Sequence, residues 1–413
     1  MEDEYGAMDS DGETFVVPRF TLESGEVLRE ATVRYKTWGA LNEARDNVMV
    51  VCHAMTGNAA LDQWWGGLLG PGCVFDTDKY HVVCANILGS CYGSSGPADA
   101  NPATGRKYGG DFPAVTVRDT VALHRRMVEE GVGARGVSVV VGGSLGGMQA
   151  LEWAFHEDLV DRAVVMACGG RHHAWQIAIS EAQRQAIYSD PAWRGGHYAP
   201  SRPPHAGLSI ARQFAMVSYR THTAYEDKFG RSRQGEGEGD DGAHAAAVAA
   251  GEAEDTFEVE SYLRYQGERF LSRFDAGSYV AITKQMDTHD VGRGRNPRGC
   301  HQEALRALNT PVLVVGITSD VLYPVAEQEE LAALIPNAKL AVIDSPEGHD
   351  GFLLEQEAIS WHLNEFLNPT AKVNRAGLKR TVQFNEGAHS ITHGQMTEGR
   401  HPNEGYKPAM AAF

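Results

Sequence analysis

A β-branched run at residues 137–141 (VSVVV) meets a helix-forming segment at 148–155 through Gly142-Gly143-Ser144-Leu145-Gly146. Few short patterns restrict a fold as tightly as this G-x-S-x-G between a strand and a helix. Glycines two before and two after the serine allow a tight, strained turn that lifts its hydroxyl above the edge of a sheet. In such a turn the backbone N–H of Leu145 points to where a tetrahedral oxyanion would form. A Gly-rich turn with an incidental serine is the plainer reading, and the strand before it and helix after it argue against that reading.

The rest of the chain supplies the sheet this turn needs. Residues 47–53 (NVMVVCH), 81–87 (HVVCANI), 137–141, 160–168, 311–316 (PVLVVG) and 339–344 (KLAVID) are short apolar runs of strand length. Helix-length segments alternate with the early ones; residues 115–130, for example, carry Val117, Val121, Leu123, Met127 and Val128 on one stripe. Buried strands alternating with helices predict a mostly parallel sheet with helices on both faces. From 169 to 304 the strand-like runs give way to helical stretches at 175–188, 210–219 and 261–270, which predicts a helical lid inserted into a split α/β core. The expected division is a first core part at 15–168, the lid at 169–304 and a second core part at 305–368. Within the lid, 233–260 is acidic and rich in Gly and Ala, and reads as a solvated loop. A polar tail at 369–413 has no periodicity.

A serine hydroxyl is a weak nucleophile until a base removes its proton, and the base needs an acid to orient it. In a fold of this kind the chain order is Ser, then Asp or Glu, then His. The last two strands each lead into a loop with a suitable residue, Asp320 in ITSDVLYP and His349 in SPEGHDGF. Both loops belong at the carboxyl edge of the sheet, beside Ser144. As a plainer alternative, Asp320 caps the next helix; Asp344 and Glu347 are weaker candidates for the acid. A second oxyanion donor is expected after an early strand, where HAMTG (residues 53–57) offers the Met55 backbone N–H.

Composition narrows the partners. The 413 residues carry 37 Lys+Arg against 54 Asp+Glu, a net charge of −17, which disfavours a nucleic-acid surface. No apolar run reaches the roughly 18–20 residues of a membrane span, and the acidic start (MEDEYGAMDSDGET) is unlike a signal peptide. The six cysteines contain no C-x-x-C pair, as expected of a reduced, cytoplasmic enzyme. Gly131-Val132-Gly133-Ala134-Arg135-Gly136 matches G-x-G-x-x-G but follows a helix and precedes a strand, the reverse of a dinucleotide site. His172-His173 and His389…His393 lack further ligands for a closed metal site. Arg293, Arg295 and Arg298 read as a salt-bridged loop, with a contact to phosphates as the alternative.

Five motifs, HAMTGNAA (53–60), NILGSCYGSSGP (86–97), GGSLGGMQALEW (142–153), ARQFAMVSYR (211–220) and SPEGHDGFL (345–353), resemble the homoserine O-acetyltransferase family in the same order, over roughly residues 15–367. The resemblance implies an α/β-hydrolase fold with a helical lid, and acyl transfer from acetyl-CoA to the hydroxyl of L-homoserine in methionine synthesis. It implies no bound cofactor or metal, acetyl-CoA as co-substrate and a homodimer. Succinyl-CoA as donor, serine as acceptor, or plain esterase or thioesterase action are the alternatives. Carried over by position, it implies Ser144 as nucleophile, Asp320 as orienting acid and His349 as base. It also implies Arg212 for the substrate carboxylate and Asp350 for its ammonium. Tyr219, two helical turns beyond Arg212, lies on the same face. Met55 stands where the family often has Leu, and Leu145 where it often has Met; both act through backbone N–H groups, so these departures bear on the shape of the acyl pocket.

Overall fold

A computed structural model of the chain describes residues 12–234, 248–251 and 255–368. Among the described residues eight strands form one sheet: β1 (Glu13–Thr21), β2 (Val27–Trp38), β3 (Val48–Cys52), β4 (His81–Ala85), β5 (Val137–Gly143), β6 (Ala163–Met166), β7 (Val312–Ile317) and β8 (Ala338–Ile343). Their spatial order is β1-β2-β4-β3-β5-β6-β7-β8. β3 to β8 pair in parallel, while β1 and β2 form an antiparallel edge. β3, β6 and β7 are buried along their whole length, which is why they read as continuous Val-rich runs without alternation. This is the α/β fold expected from the sequence, and the six anticipated strands are all present.

Three details differ from the sequence reading. The run at 160–168 is a strand only over Ala163–Met166, because Ala167 adopts φ 48° and turns the chain. The β1–β2 hairpin was not foreseen. Pro18, inside the first strand, and Glu30, at φ 50° in the second, break the alternation of buried and exposed residues. The helix expected at 115–130 is α-helical over Val117–Arg126, capped by Thr116 with Asp119 in a capping box, and continues as a π-helix over Met127–Val132. Gly133, at φ 78°, ends that helix and feeds β5, so the G-x-G-x-x-G match is a helix-to-strand loop.

Between β6 and β7 lie helices at Ala174–Tyr188, His205–Tyr219, His222–Phe229, Glu258–Leu271 and Ala276–Asp287. The acidic segment anticipated at 233–260 falls mainly outside the described residues. At its described ends Arg233 pairs with Asp255, and a helix already begins at Glu258. The tail at 369–413, with His389 and His393, lies outside them too. The basic cluster is tied into ion pairs: Arg295 with buried Glu152 (2.5 Å), Arg293 with Glu23 (2.9 Å) and Arg298 with Glu303. All three guanidiniums are thus engaged by carboxylates, as the salt-bridged reading of this loop expects.

Candidate active site

Ser144 sits at φ 58°, ψ −125°, a backbone conformation a non-glycine residue rarely adopts and one that costs roughly 1–3 kcal/mol. The surrounding hydrogen bonds impose it. Ser144 N donates to the Met166 carbonyl of β6 (3.0 Å), and Met148 N donates to the Ser144 carbonyl (3.0 Å). The flanking glycines are steric necessities: a Cβ on Gly142 would strike the Gly146 carbonyl, and one on Gly146 the Cys52 carbonyl. The helix Leu145–Ala154 starts directly after the serine, with its first N–H groups lacking acceptors within the helix.

The loops after β7 and β8 complete a hydrogen-bonded chain. The Ser144 hydroxyl lies 2.8 Å from His349 Nε2, and His349 Nδ1 lies 2.7 Å from Asp320 Oδ2. With Nδ1–H donating to the carboxylate, Nε2 is left to accept from the hydroxyl. The other oxygen, Asp320 Oδ1, accepts from Leu322 N and Tyr323 N, each at 2.8 Å, which fixes the carboxylate plane. These two N–H groups belong to the turn before the next helix, which begins at Val325 with Pro324 at its N-cap and no side-chain cap, so Asp320 orients His349 and braces its own turn but does not cap that helix. Asp344 instead accepts from Thr318 (3.1 Å) and Glu347 pairs with Arg220, so neither alternative acid holds His349. All three triad side chains are buried, and Tyr323, Phe352 and Tyr219 surround the imidazole at 5.1, 5.3 and 5.8 Å between ring centres.

Met55 follows β3 and lines the same cavity as Ser144. His53 anchors its loop. Nδ1 contacts the Ala54 carbonyl (2.8 Å), Nε2 takes the Ile87 N–H (3.3 Å), and burial lowers this imidazole to about 4, so it stays neutral at pH 7. The sequence reading gave His53 no such task.

The cavity has a volume of about 620 Å³ and reaches from Ser144 to the lid. Arg212, Tyr219 and Asp350 all line it, together with Arg220. The lid helix His205–Tyr219 buries Leu208, Ala211, Ala215 and Met216, and Arg212 lies on that same stripe at 2% exposure. A solvated lid arginine is thereby excluded. Its guanidinium stands 5.0 Å from the Phe270 ring centre, as does that of Arg273, and burial followed by the like charge of Arg273 lowers its pKa. Burial raises the Asp350 carboxyl above its ordinary value, against the pull of Arg220, His349 and Arg212. The site therefore holds a serine hydrogen-bonded to a histidine and two opposite charges in one chamber.

Comparison with known proteins places this arrangement. The alpha/beta hydrolase fold family matches residues 47–356. A homoserine O-acetyltransferase of Chlorobium chlorochromatii (strain CaD3) is 48% identical over 350 residues, 84% of this chain and 93% of that protein. The chain belongs to the homoserine O-acetyltransferase family. Among solved structures, the homoserine O-acetyltransferase of Bacillus anthracis superposes with a TM-score of 0.76 at 26% identity, over 86% of this chain and 97% of the other. Esterase E22 gives the same TM-score at 22% identity, over 86% and 99%, and shares the fold alone. Against the homoserine O-acetyltransferase family pattern, every position anticipated from the motifs falls in or beside one cavity. Arg220 and Arg273 were not singled out, although Arg220 ends the ARQFAMVSYR motif next to Tyr219.

Proposed function

We propose that the chain transfers an acetyl group from acetyl-CoA to the hydroxyl of L-homoserine through an acyl-Ser144 intermediate. One observation carries the reading: the Ser144–His349–Asp320 chain opens into a cavity that also holds a buried guanidinium, Arg212, and a carboxylate, Asp350. A hydrolase needs only the first half of that arrangement. An amino-acid acceptor needs the second.

His349 Nε2 takes the Ser144 proton as Oγ adds to the thioester carbonyl. The backbone N–H groups of Leu145 and Met55 hold the oxyanion, each worth roughly 3–4 kcal/mol by analogy with other oxyanion donors. The positive end of the Leu145–Ala154 helix faces the same point. The C–S bond then breaks, and His349 returns its proton to the departing CoA sulfur. Homoserine enters with its carboxylate on Arg212, which presents the two parallel donors such a group accepts, and its ammonium on Asp350. Tyr219, packed on His349, walls this subsite. His349 next takes the acceptor hydroxyl's proton, that oxygen attacks the ester carbonyl, and Ser144 leaves as the alcohol. Two charged anchors position the acceptor against water, the step on which transfer over hydrolysis depends.

The reaction calls for no metal or bound cofactor in this scheme. A second copy of the chain is the expected partner, and the outward side of the lid helix, with Ile210, Phe214 and Val217 exposed, supports that. Among the described residues none of the six cysteines is disulfide-bonded, which fits a reducing cytoplasm. Among the described residues no helix is long and apolar enough to cross a membrane.

The decisive experiment follows CoA release with a thiol reagent, using acetyl-CoA or succinyl-CoA, with and without homoserine or serine, beside Ser144→Ala. Beyond the single CoA set free by acylation, turnover that needs both acetyl-CoA and homoserine and vanishes in the variant is the expected result. Equal release without an acceptor would make the chain a thioester hydrolase and remove the roles given to Arg212 and Asp350.

A further inference from the structure

The two residues on either side of the catalytic histidine loop are carboxylates, Glu347 and Asp350, and one lid side chain meets both. Arg220, immediately after the lid helix, pairs through Nη1 with Glu347 and through Nε with Asp350 Oδ2 at 3.2 Å. The contact is backed by an unusually close approach of backbones. Gly348 adopts φ 67°, and a Cβ there would lie 2.6 Å from the Tyr219 carbonyl, so only glycine lets the end of the lid helix settle on this loop. Thr221, the next residue, donates from its hydroxyl to the Pro346 carbonyl at 2.7 Å. Tyr219, Arg220 and Thr221 thus form a short clasp against the loop that carries His349.

We infer that Arg220 is a positioning residue for the acceptor: it holds the Asp350 carboxylate ionised and turned so that one oxygen is spent on Arg220 and the other remains for the substrate ammonium. This rests on the acceptor reading of Asp350 given above. The geometry has a reason in electrostatics. A carboxylate at the floor of a pocket tends to take up a proton, and a protonated acid offers an ammonium nothing better than a neutral acceptor. A guanidinium fixed to one oxygen opposes that protonation. Arg220 approaches Asp350 from Nε to Oδ2, at 3.2 Å; a one-pronged contact of this kind leaves the second oxygen for a ligand, where a two-pronged pair would satisfy both and close the subsite. Burial raising the Asp350 carboxyl while Arg220 draws it down agrees with this division of work. Glu347 gives Arg220 a second carboxylate, so its cation is held in place when the substrate ammonium arrives as a competitor for Asp350.

The test compares Arg220→Gln and Arg220→Lys with the unaltered enzyme in two half-reactions. Acyl-enzyme formation from p-nitrophenyl acetate needs Ser144 and His349 but no acceptor, and serves as the internal reference. Arg220→Gln should leave that burst within about threefold while the KM for homoserine rises about ten- to hundredfold, the range for one lost charge-assisted hydrogen bond. Its acid limb in kcat/KM for homoserine should move to higher pH by more than the limb of acyl-enzyme formation moves, because Asp350 has lost the cation that kept it charged. Arg220→Lys should restore part of both effects. Equal losses in the two half-reactions, with no separate shift of the homoserine limb, would overturn the inference and leave Arg220 a brace for His349 alone. An unchanged KM in a variant that folds and acylates normally would overturn it as well. If the unaltered enzyme turns over acetyl-CoA as fast without homoserine as with it, the acceptor reading itself fails and takes this one with it.

Discussion

Replacing Asp320 with Asn probes the catalytic chain with almost no change in shape. In the folded protein Oδ1 accepts two backbone N–H groups at 2.8 Å, from Leu322 and Tyr323, and Oδ2 accepts from His349 at 2.7 Å. An asparagine has one oxygen and one NH2, and an NH2 cannot accept. The two N–H groups therefore claim the oxygen, and the NH2 is forced to face His349 Nδ1. That nitrogen must then accept, which moves the imidazole proton to Nε2 and points it at Ser144. The base is lost through its tautomer, with no loss of contact. The same change in another serine enzyme lowers turnover about 10⁴-fold, equivalent to about 5.4 kcal/mol at 1.36 kcal/mol per factor of ten. Stability should hardly change, since both buried N–H groups keep their acceptor. Asp320→Ala makes the contrast. It abolishes activity too, but strands two buried donors at roughly 1–3 kcal/mol each, so its melting temperature should fall well below that of Asp320→Asn. The assays are the p-nitrophenol burst for acylation, thermal unfolding for stability and ¹⁵N shifts of His349 for the tautomer. An Asp320→Asn enzyme that kept more than a tenth of its acylation rate, or stayed slow while Nδ1 kept its proton, would refute the reasoning.

Three further expectations follow from the same geometry. Gly348→Ala should lower the melting temperature and slow acylation at least about tenfold: the left-handed backbone costs about 1–2 kcal/mol, and pushing the Tyr219 carbonyl aside moves His349, where a displacement near 1 Å costs about 10²-fold. A burst rate equal to the unaltered enzyme's would show that the close approach does not matter. Arg212→Lys should raise the KM for homoserine about tenfold or more while the burst with p-nitrophenyl acetate is kept, because an ammonium cannot replace two parallel donors. Similar losses in both reactions would count against a substrate role. Finally, burial holds His53, His124 and His289 at about 4, below the ordinary histidine value of about 6.5. The unfolded chain then binds more protons between these values, so the stability they contribute is present above pH about 6.5 and lost as pH falls toward 4. Urea unfolding at pH 7.5 and 5 should show a lower midpoint at pH 5, and an unchanged midpoint would contradict it.

How much of this was readable in the sequence depends on whether a residue's task leaves a mark on its neighbours. The elbow does, since Ser144 at φ 58° needs glycine at 142 and 146 and a strand before the turn, and each requirement is written locally. Asp320 and His349 were found by chain order and by their place after strands: β7, before Asp320, is conspicuous because it is Val-rich and buried throughout, while β8, before His349, is only partly buried and speaks more softly. The β1–β2 hairpin left a weaker trace, because its alternation of buried and exposed residues is broken at Pro18 and Glu30. Arg212 was legible in principle. Leu208, Ala211, Ala215 and Met216 define a buried stripe, and an arginine on such a stripe must have a partner or a ligand. Asp350 and Arg220 leave no comparable mark, because a carboxylate in a loop and an arginine at a helix end look like ordinary surface charges until the fold brings them together. The split has a functional side. The hydrolase-like half of the chemistry is tied to a strained elbow and to strand ends, which show in the sequence, whereas on the proposed reading the acceptor subsite is built from charges whose meaning lies in their surroundings. On the proposed reading a transferase and an esterase on this fold differ least where the sequence speaks loudest, and the residues that would separate them lie on the lid and the histidine loop, at Arg212, Arg220 and Asp350.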